Sequence, residues 1–395
     1  IAFAMAAEML VFVALLGLVL AAGSRELPLG PEAAPPLWLA LLLLGGFGIK
    51  AGLVVLHVSL PVAYRVLVPA AGVVIAGAML HPGLLGWMRF LPPGGMAPPG
   101  LGAVVLGTGL AGAFYGVLVG LVQQDARALL AYSSMSQMGW MTAILGAGLL
   151  VPGAWPAALA VVTVYAVHHA LAKGALFLGI DAVAAARERA LVLAALAVPA
   201  VSVAGLPGTT GYLAKTGLKQ ALAALPGEWA LVLKVLLPLG AVGTTVLMGR
   251  FLWLAWRAPA ARGELPSVVG WGVLLAASLT VAWAHAANLA PAMGSFQPGA
   301  VWSALWPLLI GAMLIGWGWR GGARPVARLV GRVPPGDLLW PALSAWRRLR
   351  DAVPVPGRGP ALRLPRGLAA RLPTGVGTEA RLARWPVAVA VFLVL

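Results

Sequence analysis

The sequence contains no cysteine and little charge, and acids are especially few. The lack of cysteine excludes disulfide bonds, thiolate metal sites and iron–sulfur clusters. Charged residues make up 10% of the 395 residues, against about 25% in soluble domains, whereas hydrophobic residues reach 61%. Apolar runs long enough to span a bilayer, which takes ~20 residues each, recur along the chain. The composition therefore predicts an all-α, polytopic transmembrane bundle.

Lysine is scarcer than acid. The chain has 27 basic and 11 acidic residues, for a formal net charge of +16. Arginine keeps its charge in proteins, whereas a buried lysine can release its proton. We therefore treat the lysines as candidate proton carriers. All five lie in or beside apolar runs: Lys50, Lys173, Lys215, Lys219 and Lys234.

The apolar runs alternate with loops of unequal charge. Twenty of the arginines fall on one side, and only Arg25 and Arg89 fall on the other. By the positive-inside rule, the Arg-rich side is predicted to face the cytoplasm of a prokaryotic cell, so the inner membrane is the predicted location. The predicted spans are 1–22, 37–60, 66–91, 101–122, 129–150, 154–180, 190–225, 229–253, 266–286 and 301–319, with the start of another at 385–395.

One apolar stretch, Ala160–Ala182, carries ionisable groups in its middle: His168, His169 and Lys173. A charge at that depth costs at least ~2.5 kcal/mol, so it is retained where it faces a bundle interior and has a function. His169 and Lys173 are four residues apart and share a helix face. Two histidines alone are too few for a metal site. This stretch predicts a proton-handling centre.

Two further segments combine a lysine with a helix breaker. Lys50 precedes Pro61, and Lys215 follows Pro207 and its neighbouring glycines. Paired interruptions in two halves of a transporter indicate an ion path at the bilayer midplane. Another titratable group at membrane depth, His81, is an equally strong candidate. Weaker candidates are Glu8, His57, Lys219 and Lys234. A polar stretch suited to holding water is formed by Ser133, Ser134, Ser136 and Gln137.

Four ordered motifs carry a family resemblance: GIKAGLVVLHVSLP, QQDARALLAYSSMSQMG, HHALAKGALFLG and AGLPGTTGYLAK. They resemble the antiporter-like membrane subunits of respiratory complex I, group 4 hydrogenases and Mrp sodium/proton antiporters. Within that family, the motif sequences are most similar to the branch that holds the B-type subunits of hydrogenase-4 and the D-type subunits of Mrp antiporters. The resemblance runs from the first residues to about residue 290.

The resemblance implies two inverted five-helix repeats, each with one discontinuous helix, and a central row of charged residues. It implies that Lys50 and Lys215 are the lysines of the two broken helices, with His169 and Lys173 connecting the half-channels. His81 stands where many relatives carry lysine. The expected divisions are 1–91 (rest of the first repeat), 92–253 (second repeat), 254–319 (C-terminal helices), 320–384 (basic cytoplasmic segment) and 385–395 (a further helix).

Departures from the family pattern qualify this expectation. The family places a glutamate partner of the Lys50-type lysine one helix before the first helix of this chain. Glu8 is too near Lys50 along the chain to be that residue, so we expect the partner upstream, in a longer protein of which this chain is a fragment. Val55, Ser59 and Tyr64 also replace the usual Pro, Trp and His.

The functional expectation is a proton-translocating subunit of a multi-subunit respiratory or antiporter complex. Lys50, His81, His168, His169, Lys173 and Lys215 form its path, and neither a cofactor nor nucleic acid is expected. Sodium exchange is left open, and so is membership in an enzyme complex. Two alternatives stay open: a stand-alone secondary transporter of a small solute, and a structural subunit with a vestigial path.

Overall fold

The computed structural model shows a bundle of α-helices across the described residues. These residues are 2–23, 35–67, 69–91, 97–98, 100–151, 153–225, 227–259, 265–289, 296–318, 320, 333–335, 337 and 344. The predicted segment 320–384 is thus described at only a few positions, and 385–395 lies outside the described residues. The predicted all-α fold is confirmed.

The helices follow one another in chain order, and a single π-helical turn, Ile75–Met79, lies between α4 and α5. The α-helices are α1 Ala2–Ala22, α2 Leu37–Ala51, α3 Ser59–Val66, α4 Pro69–Val74, α5 His81–Phe90, α6 Leu101–Leu121, α7 Ala126–Leu150, α8 Trp155–Ala185, α9 Arg189–Ala204, α10 Thr210–Ala223, α11 Glu228–Arg257, α12 Leu265–Leu289 and α13 Pro298–Trp317.

Seven helical stretches among the described residues are long and apolar enough to cross a membrane. They are Ala4–Ala22, Ala71–Phe90, Leu101–Leu121, Trp155–Ala185, Glu228–Arg257, Val268–Ala287 and Pro298–Trp317. The chain is therefore a multi-pass membrane protein. Residues Ile1–Pro341 pack as one unit, and the internal divisions at 91/92 and 253/254 stay predictions.

The helix α7 lies at the centre of the packing, since every residue from Ala128 to Leu149 is buried. Its closest partner is α6. Glycines allow this approach, because a helix without side chains at the contact brings its backbone against the neighbour. Gly109 of α6 faces the Gly139 carbonyl and the Ala143 amide of α7. The Ser136 hydroxyl also donates to the Ala113 carbonyl across this contact, at 2.7 Å.

Both predicted helix breaks are present. The first break separates α2 from α3, where Gly52 and Val55 have positive φ angles of 70° and 74°. The second separates α9 from α10, where Gly205 and Gly208 have φ of 100° and 88°. Glycine adopts these left-handed angles without steric strain, so the second break is encoded locally. Lys50 lies in the last turn of α2.

The sequence did not predict the π-helical turn Ile75–Met79. It precedes α5, whose first residue is His81. Turns of this kind widen the helix by one residue and occur frequently at functional sites. The extra residue in this turn shifts the positions of the residues that follow, including His81, around the helix axis.

The α6–α7 contact makes a testable prediction. A Cβ at Gly109 would lie 2.5 Å from the Ala143 amide nitrogen and 2.7 Å from the Gly139 carbonyl oxygen, so the backbones must separate. We expect Gly109→Ala to lower the free energy of unfolding by about 1–3 kcal/mol, as overpacking does. The measurement is denaturant or thermal unfolding in detergent.

Gly107→Ala is the matched control on the same helix. A Cβ at Gly107 meets no atom within 4 Å, so this variant should be neutral or gain up to ~1 kcal/mol from helix propensity. Equal destabilisation by both variants would contradict the close-packing account.

Candidate functional site

The long helix α8 places three ionisable side chains inside the bundle. It runs without interruption from Trp155 to Ala185. His168, His169 and Lys173 are exposed by only 2%, 1% and 0%. Lys173 Nζ donates to the Leu130 carbonyl of α7 at 3.3 Å. The predicted centre is therefore buried between helices and does not face outward.

His81 and His169 meet across α5 and α8. His81 Nε2 and His169 Nδ1 are 3.3 Å apart, and the ring centroids are 5.3 Å apart. One nitrogen of such a pair donates and the other accepts, and the roles depend on the tautomers. The pair can therefore pass a proton from one ring to the other.

Lys215 of α10 is linked to α8 through an amide. Gln137 Oε1 of α7 accepts from the Tyr165 hydroxyl at 2.7 Å and from Lys215 Nζ at 3.4 Å. Lys215 Nζ also lies over the rings of Trp140 and Tyr165, at 5.6 Å and 5.7 Å from their centroids. Aromatic faces stabilise an ammonium group, which explains how the charged form is tolerated here.

Lys219 extends this link towards α13. It lies one turn beyond Lys215 on α10, and its Nζ donates to the Ser303 carbonyl at 3.0 Å and to the Ser303 hydroxyl at 3.1 Å. Tyr165 likewise lies one turn before His169 on α8. We use the term central row for the sequence of side chains His81, His169, Tyr165, Gln137, Lys215, Lys219 and Ser303.

His168 faces away from that row into a second polar cluster. Its Nδ1 is 2.9 Å from Thr210 Oγ1, and the Thr210 hydroxyl donates to the Ser278 carbonyl at 2.6 Å. Ser202 Oγ is 3.3 Å from Thr210 Oγ1 and accepts from the Gly211 amide at 3.2 Å. These bonds connect α8 to both sides of the α9–α10 break and hold the start of α10 in place.

Lys50 has an acidic partner in the first helix. Its Nζ forms an ion pair with Glu8 Oε1 at 2.5 Å, between α2 and α1. Helix packing thus brings Glu8, one of the lower-ranked candidates, to Lys50, whereas the upstream glutamate that the resemblance implies stays a prediction. The Glu8 side chain is 67% exposed and that of Lys50 25%, so this pair lies nearer the outside of the bundle than Lys173.

His57 is buried beside an acid that the sequence analysis did not select. Asp337 Oδ1 is 3.3 Å from His57 Nε2 and accepts from the Tyr132 hydroxyl at 3.0 Å. Asp337 Oδ2 accepts from the Tyr115 hydroxyl. The cluster lies between the α2–α3 break and helices α6 and α7. One signal could have found it, since Asp337 is the single acid between positions 320 and 350.

The sequence analysis also missed two other site residues, Tyr165 of the central row and Thr210 of the neighbouring cluster. Tyr165 lies three positions before His168, and Thr210 lies in the AGLPGTTGYLAK motif. Gln137 was predicted to hold water, and it also bridges Tyr165 and Lys215. In contrast, Lys234 is exposed on α11 and is placed away from these contacts.

The interior of the site is rich in basic side chains. The ion pairs found among the described residues are Lys50–Glu8, His57–Asp337 and Arg127–Asp181. None of these pairs includes Lys173 or Lys215. The part of the chain that the structure describes also contains no group of three His, Cys, Asp or Glu suited to a metal ion. The buried lysines thus depend on carbonyls, an amide and aromatic faces.

Several buried polar atoms in the central row and beside it on α7 lack a protein hydrogen-bond partner within the described residues. They are His81 Nδ1, His169 Nε2, Gln137 Nε2, Ser133 Oγ and Trp140 Nε1. Buried polar atoms in native proteins are nearly always bonded, and internal water is the usual partner where protein atoms are missing. The site is therefore suited to holding water between its titratable side chains.

These features define the class of protein: a polytopic helical membrane protein with two broken helices and a buried polar row rich in lysine and histidine. Residues 3–239 match the family described as NADH:quinone oxidoreductase/Mrp antiporter, transmembrane. The match covers more than half of the chain, so the chain belongs to that family. The resemblance read from the four motifs is confirmed.

Individual proteins agree with this assignment. The chain is 29% identical over 240 residues to formate hydrogenlyase subunit 3 of Escherichia coli, covering 56% of this chain and 38% of that protein. It is 28% identical over 250 residues to hydrogenase-4 component B of the same organism, covering 58% and 37%. This chain therefore spans less than two fifths of the length of these curated relatives.

A solved structure shares the fold. A chain in the structure of the membrane-bound sulfane sulfur reductase, an archaeal respiratory membrane complex, superposes with a TM-score of 0.65 at 20% identity. The match covers 100% of this chain and 75% of that chain.

The Thr210 cluster makes a prediction about stability. Thr210→Val keeps the side-chain shape but removes the hydroxyl that contacts His168 and the Ser278 carbonyl. Leaving buried polar groups without partners costs about 1–3 kcal/mol, so we expect a loss of that size in unfolding free energy.

Thr163→Val serves as the control, because the Thr163 hydroxyl bonds the Leu159 carbonyl within its own helix. Its loss should be clearly smaller when both variants are unfolded in the same detergent. If Thr210→Val were as stable as the control, the cluster would not hold the start of α10.

Proposed function

We propose that the chain is a proton-translocating membrane subunit of a complex I-like, group 4 hydrogenase-like or Mrp-like assembly. One observation carries the proposal: a row of buried titratable and polar side chains crosses the bundle from His81 to Ser303 by way of α8. A buried lysine or histidine at membrane depth is costly and is kept for a function. Hydrogen-bonded contacts of 2.7–3.4 Å between its members support transfer of protons along it.

In this proposal the lysines store protons and the histidines pass them on. Lys173 exchanges with His169 along one turn of α8, and the His169–His81 contact carries the proton towards α5. Towards α10, the proposed link between His169 and Lys215 is water that binds to the unpartnered Gln137 Nε2 near Tyr165. Positive groups so close together repel each other, so protonating one weakens proton binding at the next. This repulsion lets an event at one end of the row affect the other.

The surroundings of the subunit belong to the same proposal. The relatives named above include a subunit of formate hydrogenlyase and a component of hydrogenase-4, so other membrane subunits are the proposed partners. A prokaryotic cell membrane is the proposed location, with the Arg-rich side in the cytoplasm. Sodium exchange is not part of the proposal, and flux measurements in vesicles follow sodium and protons separately.

Lysine substitutions test the proposal. Lys173→Gln and Lys215→Gln should each slow proton movement by at least roughly tenfold, since a positioned proton-transfer group contributes about 10²–10⁴-fold. Lys215→Arg should be equally impaired, because arginine keeps a charge but does not release its proton. The measurement is proton and sodium flux in vesicles that contain the assembled complex.

Lys234→Gln is the control, because Lys234 is exposed on α11 and should leave flux unchanged. Assembly of each variant is checked by co-purification of the other subunits. Normal flux in assembled Lys173→Gln and Lys215→Gln complexes would favour the structural alternative. Solute uptake by the isolated chain would favour the stand-alone transporter.

The cluster of His57, Asp337 and their tyrosines is the proposed loading end. A carboxylate beside an imidazole can collect protons, and His57 lies in the break that follows Lys50. The ring of Tyr64 packs on Phe177 of α8 with centroids 4.7 Å apart. The buried hydroxyls of Tyr64, Ser133 and Ser134 lack a hydrogen-bond partner among the described residues, so in this proposal water bound to them carries protons towards Lys173.

Asp337→Asn makes a separate prediction. The amide keeps the side-chain shape and can still bond one tyrosine, but it does not take up a proton at neutral pH. We expect proton flux to fall by several-fold, or roughly tenfold if this is the main loading group. Glu188→Gln, at an exposed acid, is the control. Unchanged flux in Asp337→Asn would remove this cluster from the path and leave the central row untouched.

A further inference from the structure

A groove on the bundle surface lies away from the central row. Helices α9 and α13 both pack against α11, and between them lies a space of about 1150 Å³. Its walls are apolar and include Leu193 and Ala197 of α9, Val246 of α11 and Ile315 of α13. None of its lining residues belongs to the central row, so the groove is independent of the proton path.

One end of this groove is cationic and aromatic. Arg250, Trp253, Trp256 and Arg257 of α11 line it. The Arg257 guanidinium lies 4.4 Å and that of Arg250 5.7 Å from the Trp253 ring centroid. Stacking on an indole holds a guanidinium in place while leaving its N–H groups free to bond. No acid is among the lining residues that the structure describes.

Backbone carbonyls anchor Arg250, which lines the groove, and its neighbour Arg189. Arg250 donates from Nη2 to the Gln123 carbonyl at 2.5 Å, and Arg189 donates from Nη2 to the Trp256 and Ala258 carbonyls at 2.7 Å and 2.9 Å. Arg250 and Arg257 thus place positive charge beside the apolar space, which favours an anionic ligand.

We propose that this groove binds one anionic phospholipid. Guanidinium groups form charge-assisted hydrogen bonds with phosphate oxygens, and the apolar walls suit acyl chains. Tryptophans are enriched at the depth of lipid headgroups, where Trp253 and Trp256 would then lie. Basic pockets between membrane helices on the cytoplasmic side are known headgroup sites. A neighbouring protein helix would need acids to match these arginines, so charge favours the lipid.

The experiment uses the full chain in its natural assembly, purified in mild detergent. Native mass spectrometry and phosphate analysis measure retained lipid, and nanodiscs of phosphatidylglycerol or phosphatidylcholine measure preference. We expect about one anionic phospholipid per wild-type chain. Arg257→Gln should weaken phosphatidylglycerol retention roughly tenfold, as the loss of one charged contact would. Phosphatidylcholine should bind weakly to both.

Two further variants sharpen the result. Ala194→Phe fills the groove from α9 without touching the arginines and should also displace the lipid, whereas Arg65→Gln, at an exposed arginine of α3, should leave it bound. Proton flux is expected to persist in Arg257→Gln, so this inference and the proposed function fail separately. Equal retention of both lipids, no effect of Arg257→Gln and Ala194→Phe, or a cross-linked polypeptide in the groove would each overturn the inference.

Discussion

The cost of placing positive groups in an apolar bundle shapes this molecule. Helix α8 carries His168, His169 and Lys173 at full burial, and a charge at such a depth costs at least ~2.5 kcal/mol even by the mildest scale. The neighbouring helices respond with the groups that tolerate or disperse charge. The Leu130 carbonyl accepts from Lys173, Gln137 accepts from Lys215, and aromatic rings surround Lys215. These contacts around the buried lysines follow from this one requirement.

Backbone irregularities lie where this polar interior needs them. The π-helical turn precedes His81, the first break follows Lys50, and the second break precedes Lys215. In a regular helix every backbone group is bonded internally, so irregular backbone at membrane depth is tolerated where protein or water supplies other partners. The second break meets this condition through Ser202, whose hydroxyl accepts from the Gly211 amide. Irregular backbone and polar side chains thus depend on each other.

Acids lie at the edges of this arrangement. Glu8 pairs with Lys50 towards the outside of the bundle, and Asp337 reaches His57 from the segment that follows α13. Lys173 and Lys215 belong to none of the ion pairs among the described residues. Carboxylates near a lysine hold its proton, whereas a lysine without such a partner exchanges it more easily. Protons at the edges are therefore expected to be held firmly, whereas those stored on Lys173 and Lys215 exchange more easily, in keeping with the proposed function.

The sequence alone determined the class of protein, the two broken helices and the burial of α8, because these depend on composition, local breakers and the cost of charge in lipid. It also placed Lys215 and His169 among the site residues. Only the tertiary structure decided which groups meet: His81 with His169, Gln137 with Tyr165 and Lys215, and Glu8 with Lys50. Asp337 lies 280 residues from His57 along the chain, and no local pattern predicts that contact. Helix packing sets such pairs, since it depends on how small residues such as Gly109 bring distant backbones together.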